Sequence, residues 1–198
     1  WDTLTWASEE EGLMRVVTGD ARTRQSFGDA VFHIEFMTPV YPGHQGQSRG
    51  NSGVYIQDRY EVQILDSFGF APKDDFCGGV YQVATPAAAA SLPAGMWQTY
   101  DIAFRAPAFD ASGQMTAPPR LTVFHNGVLI HDDIALPPGG TGAAAGSGPI
   151  AAAPLRLQDH GDLVRFRNVW AAPLAPGTWT APKSLRDVLT LAQTAGEQ

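Results

Sequence analysis

The sequence predicts an all-β sandwich of two antiparallel sheets, followed by one short C-terminal helix. Apolar and polar residues alternate through segments 30–39, 97–107 and 120–131, and a period of two residues indicates strands with one buried face. Glycine and proline separate these short segments, as is typical of antiparallel sandwiches. Within the last segment, Asn126-Gly127 lies between two apolar runs and predicts a hairpin with a tight turn.

The other strands follow from shorter patterns. Segment 49–69 predicts two short strands. Segments 153–161 and 163–174 predict another strand pair, with its turn around His160-Gly161-Asp162. Between these regions, the alanine- and glycine-rich segment 137–149 predicts a mobile loop.

The C-terminal residues have the spacing of a helix. Ser184 is a suitable N-cap, and the apolar residues that follow at helical spacing are Leu185, Val188, Leu189 and Ala192. We therefore expect a sandwich domain over 1–180 and a helical tail over 181–198 that covers a sheet edge or leaves the domain.

Composition argues against two classes of partner. The 198 residues carry a formal net charge of −7, whereas a nucleic-acid partner requires clustered lysine and arginine. No apolar run reaches the roughly 20 residues of a membrane span. Neutral polar ligands fit this composition better, and the sequence predicts no particular oligomeric state. Cys77 is the single cysteine, so no intramolecular disulfide can form, and we expect its side chain to be buried as a small apolar group.

The segment 60–66, Tyr-Glu-Val-Gln-Ile-Leu-Asp, predicts a strand with an irregular end. Strict alternation places Glu61 and Gln63 on one face but sends Asp66 towards the core with Ile64, where an unpaired carboxylate is costly. A one-residue bulge near Ile64-Leu65 directs both aliphatic side chains inward and returns Asp66 to the face of Glu61.

Neighbouring strands predict a shared polar face around Glu61. Its members carry planar or bidentate groups suited to sugar hydroxyls and carbonyls, and convergent polar groups of this kind are typical of ligand sites. Besides Gln63 and Asp66, the candidates are Arg49, Asn51, Tyr55, Gln158, His160, Arg165 and Arg167. Tyr55 is expected to stack on a sugar ring. A solvated strand face is the simpler alternative.

The spacing Glu61-x-Gln63-x-x-Asp66 resembles the Glu-x-Asp-x-x-Glu strand of laminarinase- and lichenase-type glucanases. In those enzymes the outer carboxylates are the nucleophile and the acid/base on a concanavalin-like jelly roll. Here the middle acid is replaced by Gln63, and the last carboxylate belongs to the shorter Asp66. Both departures count against the same reaction geometry.

Six segments resemble the family of 3-keto-disaccharide hydrolases, in the family's order and over about residues 26 to 174. They are FGDAVFHIEFMTP, RGNSGVYIQDRYEVQILDSFG, CGGVYQVATP, LPAGMWQTYDIAFRAPAF, LTVFHNGVLIHDD and GPIAAAPLRLQDHGDLVRFRNVW. The resemblance implies a concanavalin A-like jelly-roll sandwich, an oxidised mono- or oligosaccharide as substrate, and export to the periplasm or medium. The chain starts at Trp1, which leaves a cytosolic protein open as the alternative. Two departures are a short opening region and extra alanines before Leu155.

A 3-keto sugar suggests one reaction in particular. The carbonyl acidifies the proton on C2, so the glycosidic oxygen on C1 can leave by elimination, and later addition of water gives net hydrolysis. This route needs a base, an acid and hydrogen-bond donors for the developing oxyanion. We assign the proton transfers to Glu61 and Asp66, with His160 as the third candidate. The donors would be Arg49, Asn51, Gln63, Gln158 and Arg167.

Two alternatives stay open at this point. A conventional retaining glycosidase would use Glu61 and Asp66 about 5 Å apart, and a non-catalytic carbohydrate-binding module would bind sugar without turnover. No cofactor is predicted. His125 and His131 have no diagnostic spacing for a metal, so a divalent metal is not supported, and we interpret both as exposed hairpin residues.

Overall fold

Two antiparallel sheets pack face to face in the computed structural model, which describes residues 1–2, 5–10, 12–175 and 178–196. The fold is the predicted jelly-roll sandwich. Its strands are β1 (Ala7–Glu10), β2 (Leu13–Arg15), β3 (Ala21–Phe27), β4 (Ala30–Met37), β5 (Ser52–Ile56), β6 (Tyr60–Ile64), β7 (Gln98–Arg105), β8 (Ala108–Phe109), β9 (Met115–Ala117), β10 (Arg120–His125), β11 (Val128–Ala135), β12 (Ala153–Leu157) and β13 (Arg165–Pro173), and α1 (Leu185–Gly196) is the helix.

The larger sheet has the order β1-β2-β13-β4-β7-β10-β11, and the smaller has the order β3-β12-β5-β6. Alternate apolar side chains from both sheets fill the space between them. Phe32, Ile34 and Phe36 of β4 belong to the same fully buried core as Val54 and Ile56 of β5. Every residue of β5 and β6 is buried, so the outer face of this strand pair is covered as well. This second covered face is where a site can form.

The hairpin predicted at Asn126-Gly127 is confirmed. β10 and β11 pair in antiparallel register with His125 opposite Val128. Asn126 and Gly127 have φ angles of 51° and 78°, which are the left-handed values of a primed two-residue turn.

The predicted pairing of segments 153–161 and 163–174 is wrong. β12 lies between β3 and β5 in the smaller sheet, and β13 lies between β2 and β4 in the larger sheet. The connection through residues 158–164 therefore crosses from one sheet to the other. Alternation requires each segment to have a core face but does not specify its partner, which is why the two segments resembled a hairpin.

The C-terminal helix and its cap are confirmed. The Asp187 amide donates to Ser184 Oγ at 3.2 Å, and Asp187 Oδ2 accepts from the Ser184 amide at 2.9 Å, which is a reciprocal N-terminal cap. The helix packs on the outer face of the larger sheet, where Val188 is fully buried with Val31, Ala103 and Phe124. It therefore covers a sheet face and not the expected edge. Within the described residues, no helix combines the length and apolarity needed to cross a membrane.

His125 and His131 are buried, with 1% and 3% of their surface exposed, so the interpretation as exposed hairpin residues is wrong. Segments beyond the hairpin cover them. His131 Nε2 donates to the Gly78 carbonyl at 2.7 Å, and His125 Nε2 is 2.9 Å from Gln98 Oε1. Burial lowers the pKa of both imidazoles, that of His125 to about 3.

The contribution of His125 to the stability of the protein is therefore expected to fall in mild acid. Because the folded pKa of His125 lies below its ordinary value of 6.5, the unfolded chain takes up the proton first. Stability from the neutral imidazole is complete above pH 6.5 and is lost as the pH falls towards 3, at up to about 1.4 kcal/mol per pH unit. Urea unfolding between pH 7 and 5 should show a shallower pH slope for His125→Gln. If the wild type and His125→Gln showed the same pH slope, His125 would not be the source of this pH dependence.

Candidate active site

A cavity of about 210 Å³ lies on the outer face of the smaller sheet. Its lining consists of Gln47, Asn51, Tyr55, Glu61, Gln63, Tyr81, Ala143, Gln158 and His160. The three lining residues from β5 and β6 are Tyr55, Glu61 and Gln63, which alternate with core residues Val54, Ile56, Val62 and Ile64. The two-residue strand period thus supplies one core face and one polar cavity floor.

Strand register brings these side chains into two rows. Tyr55 is opposite Arg156 of β12 on one side and opposite Glu61 of β6 on the other. In the adjacent row, Gly53 is opposite Gln63, and its carbonyl accepts the Gln158 amide at 2.9 Å. Side chains directly opposite each other on antiparallel strands are in contact range, so Arg156, Tyr55 and Glu61 form one polar row. In the other row, Gln158 and Gln63 lie on either side of Gly53.

Glu61 is the carboxylate of the cavity floor, and only 3% of its surface is exposed. Burial raises its pKa to about 7, against the opposing effects of a hydrogen bond from Tyr55 and the positive charge of Arg156. A carboxyl group with a pKa near neutrality can both accept and release a proton at physiological pH.

Gly53 provides the space that Glu61 occupies. A Cβ atom at this position would overlap Glu61 Oε1 and would lie 3.0 Å from both Glu61 Cδ and Tyr55 Cε2. The carboxylate therefore lies across the backbone of the neighbouring strand, and a glycine in β5 permits this close approach.

Tyr55 holds Glu61 from the side. Its hydroxyl hydrogen-bonds to Glu61 and also accepts Gln158 Nε2 at 3.3 Å. The Arg156 guanidinium lies 3.6 Å from the centre of the Tyr55 ring and is itself fixed by Asp58 and by Asp20 at 2.9 Å. Burial raises the pKa of Tyr55, so the hydroxyl stays protonated and available as a donor.

Comparison with known proteins assigns the chain to a family. Residues 1–172 match the family described as a 3-keto-alpha-glucoside-1,2-lyase-like domain. The chain belongs to this family. The crystal structure of a "putative glycosyl hydrolase" from Parabacteroides distasonis ATCC 8503 shares 33% identity, covers 86% of this chain and 75% of that chain, and superposes with a TM-score of 0.73.

A second structure described in the same words, from the same organism, shares 18% identity over 85% of this chain and 90% of that chain, with a TM-score of 0.60. At this identity it shows the fold alone. Comparison with proteins of curated function gave no significant match. Family membership and the polar cavity together support a carbohydrate-acting enzyme.

Six of the predicted site residues line this cavity of the 3-keto-alpha-glucoside-1,2-lyase-like domain: Asn51, Tyr55, Glu61, Gln63, Gln158 and His160. Tyr55 lines the cavity, but its ring is not free to stack on a sugar as predicted, because its side chain is fully buried and Arg156 covers one face of the ring. It therefore serves as a hydrogen-bonding group and not as a stacking platform. His160 is exposed at the mouth and also lines an adjoining groove with Ser48 and Asp162.

Asp66 and Arg49 lie outside the lining of this cavity. Ile64 and Leu65 both point into the core, as the bulge hypothesis required, but β6 ends at Ile64. Beyond that point Asp66 is bound to Arg49, with 2.7 Å between Asp66 Oδ2 and Arg49 Nη2 and 2.8 Å between its carbonyl and Arg49 Nε. Asp66 is therefore paired with Arg49 and does not line the cavity with Glu61.

Arg165 and Arg167 are also placed elsewhere. Both belong to β13 in the larger sheet, where Arg165 binds Glu9 and Arg167 binds Glu35, each at 2.6 Å. Arg167 also lies 4.0 Å from the centre of the Trp97 ring. The expectation that they share a face with Glu61 is wrong because it depended on the incorrect β12–β13 hairpin.

The side-chain amides of the cavity use N–H groups in hydrogen bonds within the protein. Gln63 Nε2 donates to Gln47 Oε1 at 3.2 Å, and Asn51 Nδ2 donates to the same oxygen at 3.0 Å. Asn51 Nδ2 thus has two acceptors within the protein, and Gln63 Nε2 and Gln158 Nε2 have one each. The role of these amides as donors to a substrate oxyanion stays a prediction, and it depends on the second N–H of Gln63 and of Gln158.

Three of the lining residues were not predicted from the sequence, namely Gln47, Tyr81 and Ala143. Tyr81 follows the Gly78-Gly79 pair in a segment that resembles the family. That resemblance could have indicated Tyr81 as a site residue. Ala143 lies in the segment that we expected to be mobile. That segment is instead anchored, because the Arg59 carbonyl accepts the Thr141 amide at 2.8 Å and the Gly148 carbonyl accepts Arg59 Nε at 2.6 Å.

Cys77 is buried, with 6% of its surface exposed, and its Sγ lies 3.2 Å from Tyr100 Oη, so the prediction of a buried thiol is confirmed.

Within the described ranges, no three histidine, cysteine or carboxylate side chains converge as metal ligands.

Proposed function

We propose that this protein cleaves 3-keto glycosides by proton abstraction at C2 and elimination at C1, followed by addition of water. The observation that carries the proposal is the buried Glu61 carboxylate, whose pKa of about 7 suits proton transfer at neutral pH. The family description names a 3-keto-alpha-glucoside-1,2-lyase-like activity, which requires such a base.

The reaction can be written with named groups. Glu61 takes the proton from C2, the electrons of that C–H bond form the C1=C2 double bond, and the C1–O bond breaks towards the glycosidic oxygen. We assign protonation of the leaving oxygen to His160, which is exposed and lines the cavity. Addition of the water OH group to C1 and of a proton to C2 then completes a net hydrolysis.

The lining of the cavity favours this route over a conventional retaining mechanism. A retaining glycosidase places two carboxyl groups about 5–5.5 Å apart around the scissile bond. Among the described residues that line this cavity, Glu61 is the one carboxylate, and Asp66 is paired with Arg49. Proton abstraction beside a ketone needs a single carboxylate base.

The test compares 3-keto-trehalose with trehalose as substrates in deuterium oxide, followed by mass spectrometry and proton NMR. We expect cleavage of the keto sugar alone, with deuterium appearing at C2 of the product. The substrate without enzyme gives the rate of spontaneous exchange. Cleavage of unoxidised trehalose would refute the proposal in favour of a glycosidase. Binding without cleavage of either sugar would refute it in favour of a binding module.

A further inference from the structure

Three buried amide oxygens point to the kind of group that the cavity binds. Asn51 Oδ1, Gln63 Oε1 and Gln158 Oε1 have no hydrogen-bond partner among the described residues, and their residues are 3%, 2% and 8% exposed. All three residues line the cavity. Buried polar atoms are normally paired, so these oxygens are available to donors supplied by a ligand.

Gln47 determines the orientation of two of these amides. Gln47 Nε2 donates to the Asp75 backbone carbonyl at 2.9 Å, and a carbonyl can only accept. Gln47 Oε1 is therefore the atom left to accept Asn51 Nδ2 at 3.0 Å and Gln63 Nε2 at 3.2 Å. The Gln47 backbone carbonyl fixes Asn51 a second time, since it also accepts Nδ2 at 3.0 Å.

The third amide is oriented by the Tyr55–Glu61 pair. The Tyr55 hydroxyl has one proton, which it gives to Glu61. Its oxygen is thus the acceptor for Gln158 Nε2 at 3.3 Å. Gln158 Oε1 is consequently the free end of this amide. Together with the Glu61 carboxylate, the floor presents acceptors from four side chains.

We infer that the cavity floor selects ligands by their hydroxyl donors, and that Gln47 is the positioning residue that sets this polarity. A carbonyl or ether oxygen against the floor would face other oxygens, whereas hydroxyl groups can donate to them. The inference rests on the proposed function in one respect: the carbonyl of a 3-keto sugar must then face away from the floor, towards the mouth.

The first experiment measures binding of methyl α-glucopyranoside and of its monodeoxy and monodeoxyfluoro derivatives by ligand-observed NMR. Fluorine has nearly the size of a hydroxyl group but cannot donate. At floor-facing positions we expect both changes to weaken binding about 10-fold or more, with fluorine at least as harmful as hydrogen. The 3-deoxyfluoro sugar should bind like the parent.

Three outcomes would overturn the inference. Fluorinated sugars that bind as well as the parent at every position would show that the floor does not require donors. Absence of binding by the parent sugar would show that the floor does not take a hydroxylated ring. Weakening by fluorine at position 3 would refute the orientation of the carbonyl. These experiments involve no turnover, so a failure of the proposed reaction is seen separately in the 3-keto-trehalose assay.

Gln47→Met tests the positioning role directly. Without the shared acceptor, the Gln63 amide is free to rotate, so binding of methyl α-glucopyranoside should weaken about 10-fold and discrimination against fluorine should fall at one position. Gln45→Met is the matched control, because Gln45 is exposed, directly precedes the 3₁₀ turn Gly46–Ser48 that contains Gln47, and makes no side-chain cap bond. Circular dichroism verifies the fold of both variants. Unchanged affinity and unchanged discrimination in Gln47→Met would refute the role of Gln47.

Discussion

Replacing Glu61 with glutamine should lower kcat/KM for a 3-keto glycoside by a factor of about 10² to 10⁴, the range that a positioned acid or base contributes. Glutamine keeps the size of the side chain and an oxygen that can accept the Tyr55 hydroxyl, so the cavity should retain its shape. The loss therefore isolates proton transfer. Single-turnover kinetics with the keto sugar measure it, and activity within a factor of three of the wild type would exclude Glu61 as the base.

The same variant should be more stable than the wild type in alkaline solution. Burial raises the pKa of Glu61 from its ordinary value of 4.5 to about 7, so its contribution to stability is complete below pH 4.5 and is lost as the pH rises through 7. A tenfold change in a proton-binding constant on folding corresponds to ~1.4 kcal/mol. At pH 8 the free energy of unfolding of Glu61→Gln should exceed that of the wild type by about 2–3 kcal/mol.

Denaturant unfolding at pH 8 and pH 4 tests this difference, which should vanish at the lower pH. Glu35→Gln is a useful comparison, because its effect on the free energy of unfolding should have the opposite sign. Although burial acts to raise the pKa of Glu35, hydrogen bonds from Asn168 and Arg167 lower it below its ordinary value, so its removal should destabilise the protein at neutral pH. Equal stability of wild type and Glu61→Gln at pH 8 would mean that the ionised carboxylate is not disfavoured by burial.

The part of the site that could be predicted from sequence is the part determined locally. β5 and β6 are consecutive strands joined by a short turn. Their two-residue alternation therefore places Tyr55, Glu61 and Gln63 on one face independently of the other strands. The primed turn at Asn126-Gly127 and the helix cap at Ser184 are equally local.

The errors arise where partners are distant in sequence. Alternation shows that β13 has a core face but cannot assign it to a sheet, and this one ambiguity misplaced Arg165 and Arg167. Asp66 lies beyond the end of β6, where its ion pair with Arg49 sets its position and strand alternation does not. Gln47 lies in a single 3₁₀ turn, Gly46–Ser48, between β4 and β5. The position of this turn depends on single hydrogen bonds such as the one to Asp75, and no periodic pattern reports such bonds.

Gly53→Ala should lower kcat/KM by about 10² or more without any change to a catalytic group, since a displacement of about 1 Å can cost this much. The added methyl group would overlap Glu61 Oε1 and come within 3.0 Å of Glu61 Cδ, so the carboxylate must leave its position across β5. Steady-state kinetics with the keto sugar provide the measurement. Gly139→Ala is the matched control, because a Cβ atom there meets nothing within 4 Å.

Stability separates this displacement from general damage to the sheet. Overpacking a buried site typically costs about 1–3 kcal/mol, and in Gly53→Ala that cost should arise mainly from the overlap with Glu61. In a Glu61→Ala background, where the overlapping atoms are absent, the same glycine substitution should cost much less. If Gly53→Ala destabilises both backgrounds equally, the strand backbone itself is disturbed. If it leaves activity intact, the position of Glu61 across β5 is not required for the reaction.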